Sequence, residues 1–376
     1  MTAEGAGALS HFCAAHLIPP RQRGRDTPAR TALDFPQKTD VGENTMKRIA
    51  VALALALLAP LAARAEVEEI KIPRGAGGVG FLPLLVMEQK GLVEAEAQKR
   101  GIKLKAIWIK MGGPAVVNDM LISGAADMVA AGPPAFLITW DRTRGSAGIK
   151  GVAAMTSIPM YLNTRAPHLK SIRDLKDGDK IAVTAVKVSI PAIILQMAAI
   201  KEFGRNEWAS LDKYTVSLTH PDALISLLSD RTEVTAHFTS PPFHQKERKS
   251  PNIRTVMTSD DVMGGPSTFT MLYTTSKFHD ANPKVYAAFI AAFTEAMRLI
   301  NADKKAAAET FIALEGQGMK LDEVMEVLDD KDVRFTTSPE AMMKYAEFMH
   351  GVGTLKVKPA DWKELFFPEI HGAGGN

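Results

Sequence analysis

The chain has 376 residues, a formal charge of +3, 46% hydrophobic residues and one cysteine. That length suggests about two domains, and a charged fraction of 23% with aromatics present excludes wholesale disorder. Only one apolar run approaches membrane length, which excludes a multi-span membrane protein; a single cysteine excludes a disulfide framework and any Cys-based metal site.

That run begins at Met46 and reads MKRIAVALALALLAPLAARAEVEE. A positive start at Lys47 and Arg48, an apolar stretch and a small-x-small site at Ala63-Arg64-Ala65 have the order and proportions of a secretory signal peptide over residues 46–65. About 15 apolar residues fall short of the roughly 20 that span a bilayer. No cysteine follows the cleavage site, which argues against a lipid anchor. Residues 1–45, rich in Pro, Arg and Gly, are either upstream of a true start at Met46 or a disordered tail, and they hold Cys13. Beyond residue 65 the chain carries 37 Lys and Arg against 37 Asp and Glu, so nothing draws it as a whole to nucleic acid or acidic membranes. The expected location is the periplasm.

From residue 66 the pattern alternates between strand and helix, an α/β rhythm. Strands are predicted at 68–73, 103–109, 127–131 and 149–156, with helices at 81–90 (Gly91 as its stop), 114–123 and 135–141 between them. Asp127 reads as a brace for its strand start. The rhythm restarts with strands at 160–164, 180–186, 213–218, 233–238 and 253–258, a capped turn at 171–175, and helices at 190–203 and 221–229. A segment at 268–275 returns from this second series. Helices at 283–301, 304–314, 321–329 and 339–350 follow, then a Gly-rich tail at 372–376 expected to fray.

Loops at the carboxyl ends of strands are where open α/β sheets bind ligands. Gly75-Ala-Gly-Gly-Val-Gly80 fits G-x-G-x-x-G, but the second strand ends at Lys110-Met111-Gly112-Gly113 without the acid a dinucleotide ribose needs. The loop reads either as a plain turn or as backbone N–H groups facing a ligand at a helix start. Gly112-Gly113-Pro114 and Gly132-Pro133-Pro134 repeat the arrangement. Ser189 reads as a helix cap or a ligand hydroxyl, and Thr239-Ser240 as turn caps or ligand hydroxyls. His237 reads as a structural histidine or one facing a cleft, and Lys246 to Lys249 (KERK) as a solvated charge run. No H-E-x-x-H, G-x-S-x-G or P-loop motif occurs, and the seven histidines after residue 65 do not pair at metal-ligand spacing. The reading is of a non-enzyme with no cofactor and no metal.

The glycine loop followed by FLPLLVMEQKGL, then Gly112-Gly113, LISGAADMVAAGP, SIRDLKDGDKIAV and Ser189 before the long helix, resemble solute-binding proteins of the nitrate/sulfonate/taurine class. These serve ABC importers and share their domain with thiamine-pyrimidine synthases. The resemblance covers about residues 68–367. It implies a two-lobed type II periplasmic-binding fold with the ligand in the cleft between lobes. Lobe one would take residues 66–160 and 265–376, and lobe two 161–264. The implied contacts are Gly78, Val79, Gly80, Phe81, Gly112, Gly113, Gly132 and Pro133 from lobe one, and Val188, Ser189, His237, Thr239 and Ser240 from lobe two. It also implies a monomer that delivers a small organic anion to an importer permease, with no nucleic-acid partner. A sensor, or a binder of a neutral heterocycle such as a thiamine pyrimidine precursor, is the alternative. The synthase branch is marked by a cysteine cluster, absent after residue 65. These loops show no acid for a taurine-type ammonium.

Overall fold

The computed structural model describes residues 65–376 except 76, 111–113, 230 and 317. The expected upstream segment and signal peptide lie outside the described residues, as do Gly112 and Gly113.

The first βα series is built on β1 (Glu69–Pro73), parallel to β2 (Lys105–Ile109), and on β3 (Met128–Ala131) and β4 (Ile149–Ser157). Asp127 braces this region as expected: its Oδ2 accepts the Lys71 N–H at 2.8 Å while its own N–H donates to the Lys71 carbonyl at 2.9 Å. Helices α1 (Leu82–Gln89), α2 (Leu92–Lys99), α3 (Pro114–Ser123) and α4 (Pro133–Thr143) connect the strands. Gly91 ends α1 as expected, and its left-handed conformation (φ 57°) makes a corner from which α2, not expected from the sequence, sets off. Helix α4 starts two residues earlier than expected, because Gly132 holds the N-cap position and Pro133 suits the first turn.

The second series forms a five-stranded sheet in the order β7-β6-β8-β5-β9. These strands are β5 (Tyr161–Thr164), β6 (Ile181–Val183), β7 (Thr215–Ser217), β8 (Ala236–Thr239) and β9 (Arg254–Thr258). Helices α5 (Ile190–Phe203), α6 (His220–Leu228) and the short α7 (Phe243–Arg248) pack around it. Strand β6 stops at Val183, short of the expected 186, because the chain turns through Lys187, a non-glycine residue at φ 65°, to enter α5.

After α8 (Ser259–Met263), β10 (Thr268–Thr275) returns to the first series. It lies antiparallel between β3 and β4, with β11 (Arg334–Phe335) on the far side of β4. The two connections between the sheets are pinned together: the Met160 N–H donates to Ser259 Oγ at 2.9 Å and the Ser259 N–H to the Met160 carbonyl at 2.8 Å.

The remaining helices are α9 (Ser276–Ala281), α10 (Pro283–Ala302), α11 (Lys304–Glu315), α12 (Leu321–Asp329), α13 (Met342–Gly351) and α14 (Trp362–Leu365). Helix α10 is long and apolar enough to cross a membrane. Its buried residues Val285, Phe289, Ala292, Phe293, Ala296 and Ile300 recur at three- and four-residue spacing, the stripe of a core helix, and it packs on α1 and α2. The tail is docked rather than frayed. The Asn376 carbonyl accepts the Met342 N–H at 2.8 Å at the start of α13, its side chain accepts the Ala341 N–H, and its own N–H donates to the Pro339 carbonyl at 3.1 Å. These bonds take up helix-start donors that otherwise have no partner.

Candidate functional site

A cavity of about 50 Å³ lies where the carboxyl ends of the strands of the two series face each other. Phe81, Ala131, Gly132, Ala135, Phe269 and Thr270 line it from the first lobe. Thr184, Val188, Ser189, Ile190, Pro191 and His220 line it from the second. No Lys, Arg, Asp or Glu is among its described lining residues. The surface is mostly apolar, with three hydroxyls and one imidazole.

The expected site residues divide over this geometry. Phe81, Gly132, Val188 and Ser189 line the cavity. Gly78, Val79 and Gly80 do not, for two reasons. The Gly78 N–H is occupied, donating to Glu315 Oε2 at 2.9 Å, so that donor is not open to a ligand. Val79 is fully buried, and Gly80 packs so tightly that an added Cβ would meet the Phe269 ring at 2.4 Å. Glu315, from the end of α11, was not legible as a partner of this loop; burial raises its carboxyl above the ordinary range, opposed by the Gly78 N–H. Pro133 opens α4 without lining the cavity.

Ser189 occupies the N-cap position of α5, but its hydroxyl makes no capping bond. It donates to the Ala185 carbonyl at 2.6 Å and so fastens the preceding turn. Pro191 removes one of the first-turn N–H groups that a cap would accept.

His237, Thr239 and Ser240 stand one layer behind the cavity, and His220 stands in front of them. Helix α6 is started by Thr219, whose Oγ1 accepts the Asp222 N–H at 3.3 Å, with Pro221 in the first turn. That start brings the His220 ring over β8, where Nδ1 meets His237 Nε2 at 2.8 Å. Among the described residues its other nitrogen, Nε2, has Ser240 Oγ at 3.4 Å. The ring also stacks on Phe243 at 5.3 Å. Behind it, His237 Nδ1 lies 2.5 Å from Glu247 Oε1, both side chains being fully buried. Asn163, opposite His237 in the β5–β8 register, donates to Glu247 Oε2 at 2.8 Å and accepts from Thr255 Oγ1 at 2.8 Å.

The KERK segment is therefore not a solvated run. Its first three residues form the end of α7, with Glu247 turned inward between the half-buried Lys246 and the exposed Arg248. Burial pushes the Glu247 carboxyl up to about 8, against the opposing Asn163 bond. Burial holds His237 down to about 3, and burial, with His237 beside it, holds His220 well below the ordinary imidazole range. The cluster is thus neutral near pH 7. His220 was not expected as a site residue; the available signal was its place directly after a strand end, in a loop with a cap residue and a proline.

No family model and no curated protein matches this sequence. Solved structures do match the fold. The alkanesulfonate-binding protein SsuA from Xanthomonas axonopodis pv. citri, bound to MOPS, superposes with a TM-score of 0.60 at 16% identity, covering 78% of this chain and 96% of that one. The periplasmic aliphatic sulphonate-binding protein SsuA from Escherichia coli gives 0.59 at 14%, covering 80% and 92%. The periplasmic nitrate-binding protein NrtA from Synechocystis PCC 6803 gives 0.59 at 13%, covering 83% and 86%. The chain has the two-lobed α/β fold of the periplasmic binding proteins, with its cavity in the cleft between the lobes.

Proposed function

We propose that this protein is the periplasmic binding component of an ABC importer and captures a small molecule in the cleft. The observation that carries the reading is the cavity itself, enclosed by residues from both lobes and lined by apolar groups with a few neutral polar ones. That is the composition of a small-molecule site. The neighbours in fold bind sulfonates and nitrate, which supports a small anion or a compact polar group on an apolar body. Such a ligand would be held by the Thr184 hydroxyl, an imidazole and the start of α5 rather than by a salt bridge, since helix starts carry about half a positive charge. The hinge lies at the paired segments around Met160 and Ser259, between lobe one (residues 66–160 and 265–376) and lobe two (161–264). The expected state is a monomer without catalytic turnover.

A thermal-shift screen across sulfonates, nitrate, carboxylates and pyrimidines tests this. A ligand at 100 times its dissociation constant adds roughly 2.7 kcal/mol of stability. A hit should also compact the protein in small-angle scattering. No stabilisation by any of the four classes, or a compound returned chemically altered, would count against the reading.

A further inference from the structure

We propose that Glu247, acting through His237, determines which nitrogen of His220 carries its proton, so that the cleft presents an N–H donor and selects ligands with an oxygen acceptor. The inference rests on the binding reading above and concerns the chemistry of that same cleft.

The hydrogen-bond pattern leaves little freedom. Asn163 has its carbonyl oxygen occupied by the Thr255 hydroxyl, so its Nδ2 is the end that faces Glu247 Oε2 and, at 3.1 Å, His244 Nδ1. Oε2 is thus an acceptor, and a proton on the Glu247 carboxyl sits on Oε1, towards His237 Nδ1. His237 then accepts at Nδ1 and carries its proton on Nε2, which donates to His220 Nδ1 at 2.8 Å. His220 in turn carries its proton on Nε2, the nitrogen whose partner among the described residues is the distant Ser240 hydroxyl. His220 lines a cavity that has no other described imidazole, indole or amide side chain.

Loss of the Glu247 proton reverses every bond in the row. The carboxylate accepts from His237 Nδ1–H, His237 Nε2 accepts from His220 Nδ1–H, and His220 Nε2 becomes an acceptor. One proton leaves to solvent and each histidine stays neutral. The other charged or titratable groups near the row are His244 and Arg248 on α7 and Asp330 after α12. Burial holds His244 down to about 4, with Arg248 adding to that and Asp330 opposing it. His244 is therefore neutral through the range in which Glu247 titrates, and burial of Glu247 places that range above neutrality.

The test uses the full protein labelled with ¹⁵N-histidine. Long-range ¹H–¹⁵N spectra without ligand should show His220 and His237 protonated on Nε2 at pH 6.5 and on Nδ1 at pH 9.5. In Glu247→Gln the shift between these pH values should vanish. Methanesulfonate is the binding probe: its affinity should fall about tenfold over the same interval in the wild type and become pH-independent in Glu247→Gln. His220 protonated on Nδ1 at pH 6.5, or a wild-type spectrum unchanged to pH 9.5, overturns the proposal whether or not the variant folds, and leaves the binding reading standing. A tautomer switch without any effect on methanesulfonate binding overturns the selection of oxygen acceptors. Failure of every compound class in the stability screen would instead strike the binding reading.

Discussion

A Cβ added at Gly132 would meet Ile190 Cδ1 at 2.5 Å, and Ile190 opens α5 of the second series. Gly132 has an ordinary extended backbone (φ −79°), so alanine there is strained chiefly by the Ile190 contact, with the Phe269 carbonyl at 3.3 Å a lesser one. Overpacking of this kind costs about 1–3 kcal/mol, so Gly132→Ala should depopulate the closed form and enlarge the radius of gyration in scattering. Ile190→Val in that background should recover part of the loss. An unchanged radius would mean that this contact does not limit closure. Ser189 gives a contrasting case. Its one proton is committed to the Ala185 carbonyl, so Ser189→Ala should cost about 1 kcal/mol of stability in the unliganded protein. Affinity for an oxyanion should change little, because the hydroxyl has no second proton to offer. Calorimetry beside a denaturation curve separates the two.

Among the elements, α10 and the docked tail show how burial and helix ends share the work. Phe289 is fully buried in the stripe where α10 meets the core, so Phe289→Ala should destabilise by about 3–5 kcal/mol, read from the urea midpoint. Deleting residues 372–376 removes the partners of the first N–H groups of α13 and should cost about 1–2 kcal/mol, on the scale of a lost cap. The helices at 190–203 and 321–329 were legible to the residue, since each has a clear start and a stop in glycine or aspartate. Helix α2 was not, because Gly91 reads the same in sequence whether it ends a helix or turns a corner. Helix α7 was missed because KERK is hydrophilic as a string, and only its packing on β5 and β8 shows that Glu247 is enclosed.

For the whole molecule, the buried Glu247–His237–His220 row makes stability depend on pH from both sides. Both imidazoles are depressed, so the unfolded chain binds protons below about 6.5 that the native state refuses. Their contribution is present above that value and is lost as pH falls. Glu247 is raised, so its contribution is present below the unfolded value near 4.5 and is lost as pH rises through about 8. The two imidazoles outweigh the one carboxyl below about pH 6.5, so stability should peak near pH 6.5 and fall towards pH 8, with limbs of about 1.4 kcal/mol per pH unit for each proton. Glu247→Gln should flatten the alkaline limb and leave the acid one. Urea midpoints from pH 4 to 9 check this, and an alkaline limb that survives the substitution would show that another group causes it.

By itself the sequence determined the order of the strands and helices, the two βα series with a return between them, and the resemblance that implies a cleft. These follow from periodicity, turn residues and caps, which act between neighbours in the chain. It also pointed to four residues that line the cavity, through glycine, proline and serine at strand-to-helix turns. Tertiary structure alone decided which loops meet. His220 and His237 are 17 positions apart and His237 and Glu247 are 10, on a helix, a strand and a second helix, and nothing in those spacings requires contact. Gly78 looked open until Glu315 arrived from α11 to take its N–H. Ile190 rests on Gly132 only because the connections at Met160 and Ser259 bring the lobes face to face. Contacts of this kind depend on sheet pairing and closure across the whole chain, where a local pattern carries no information.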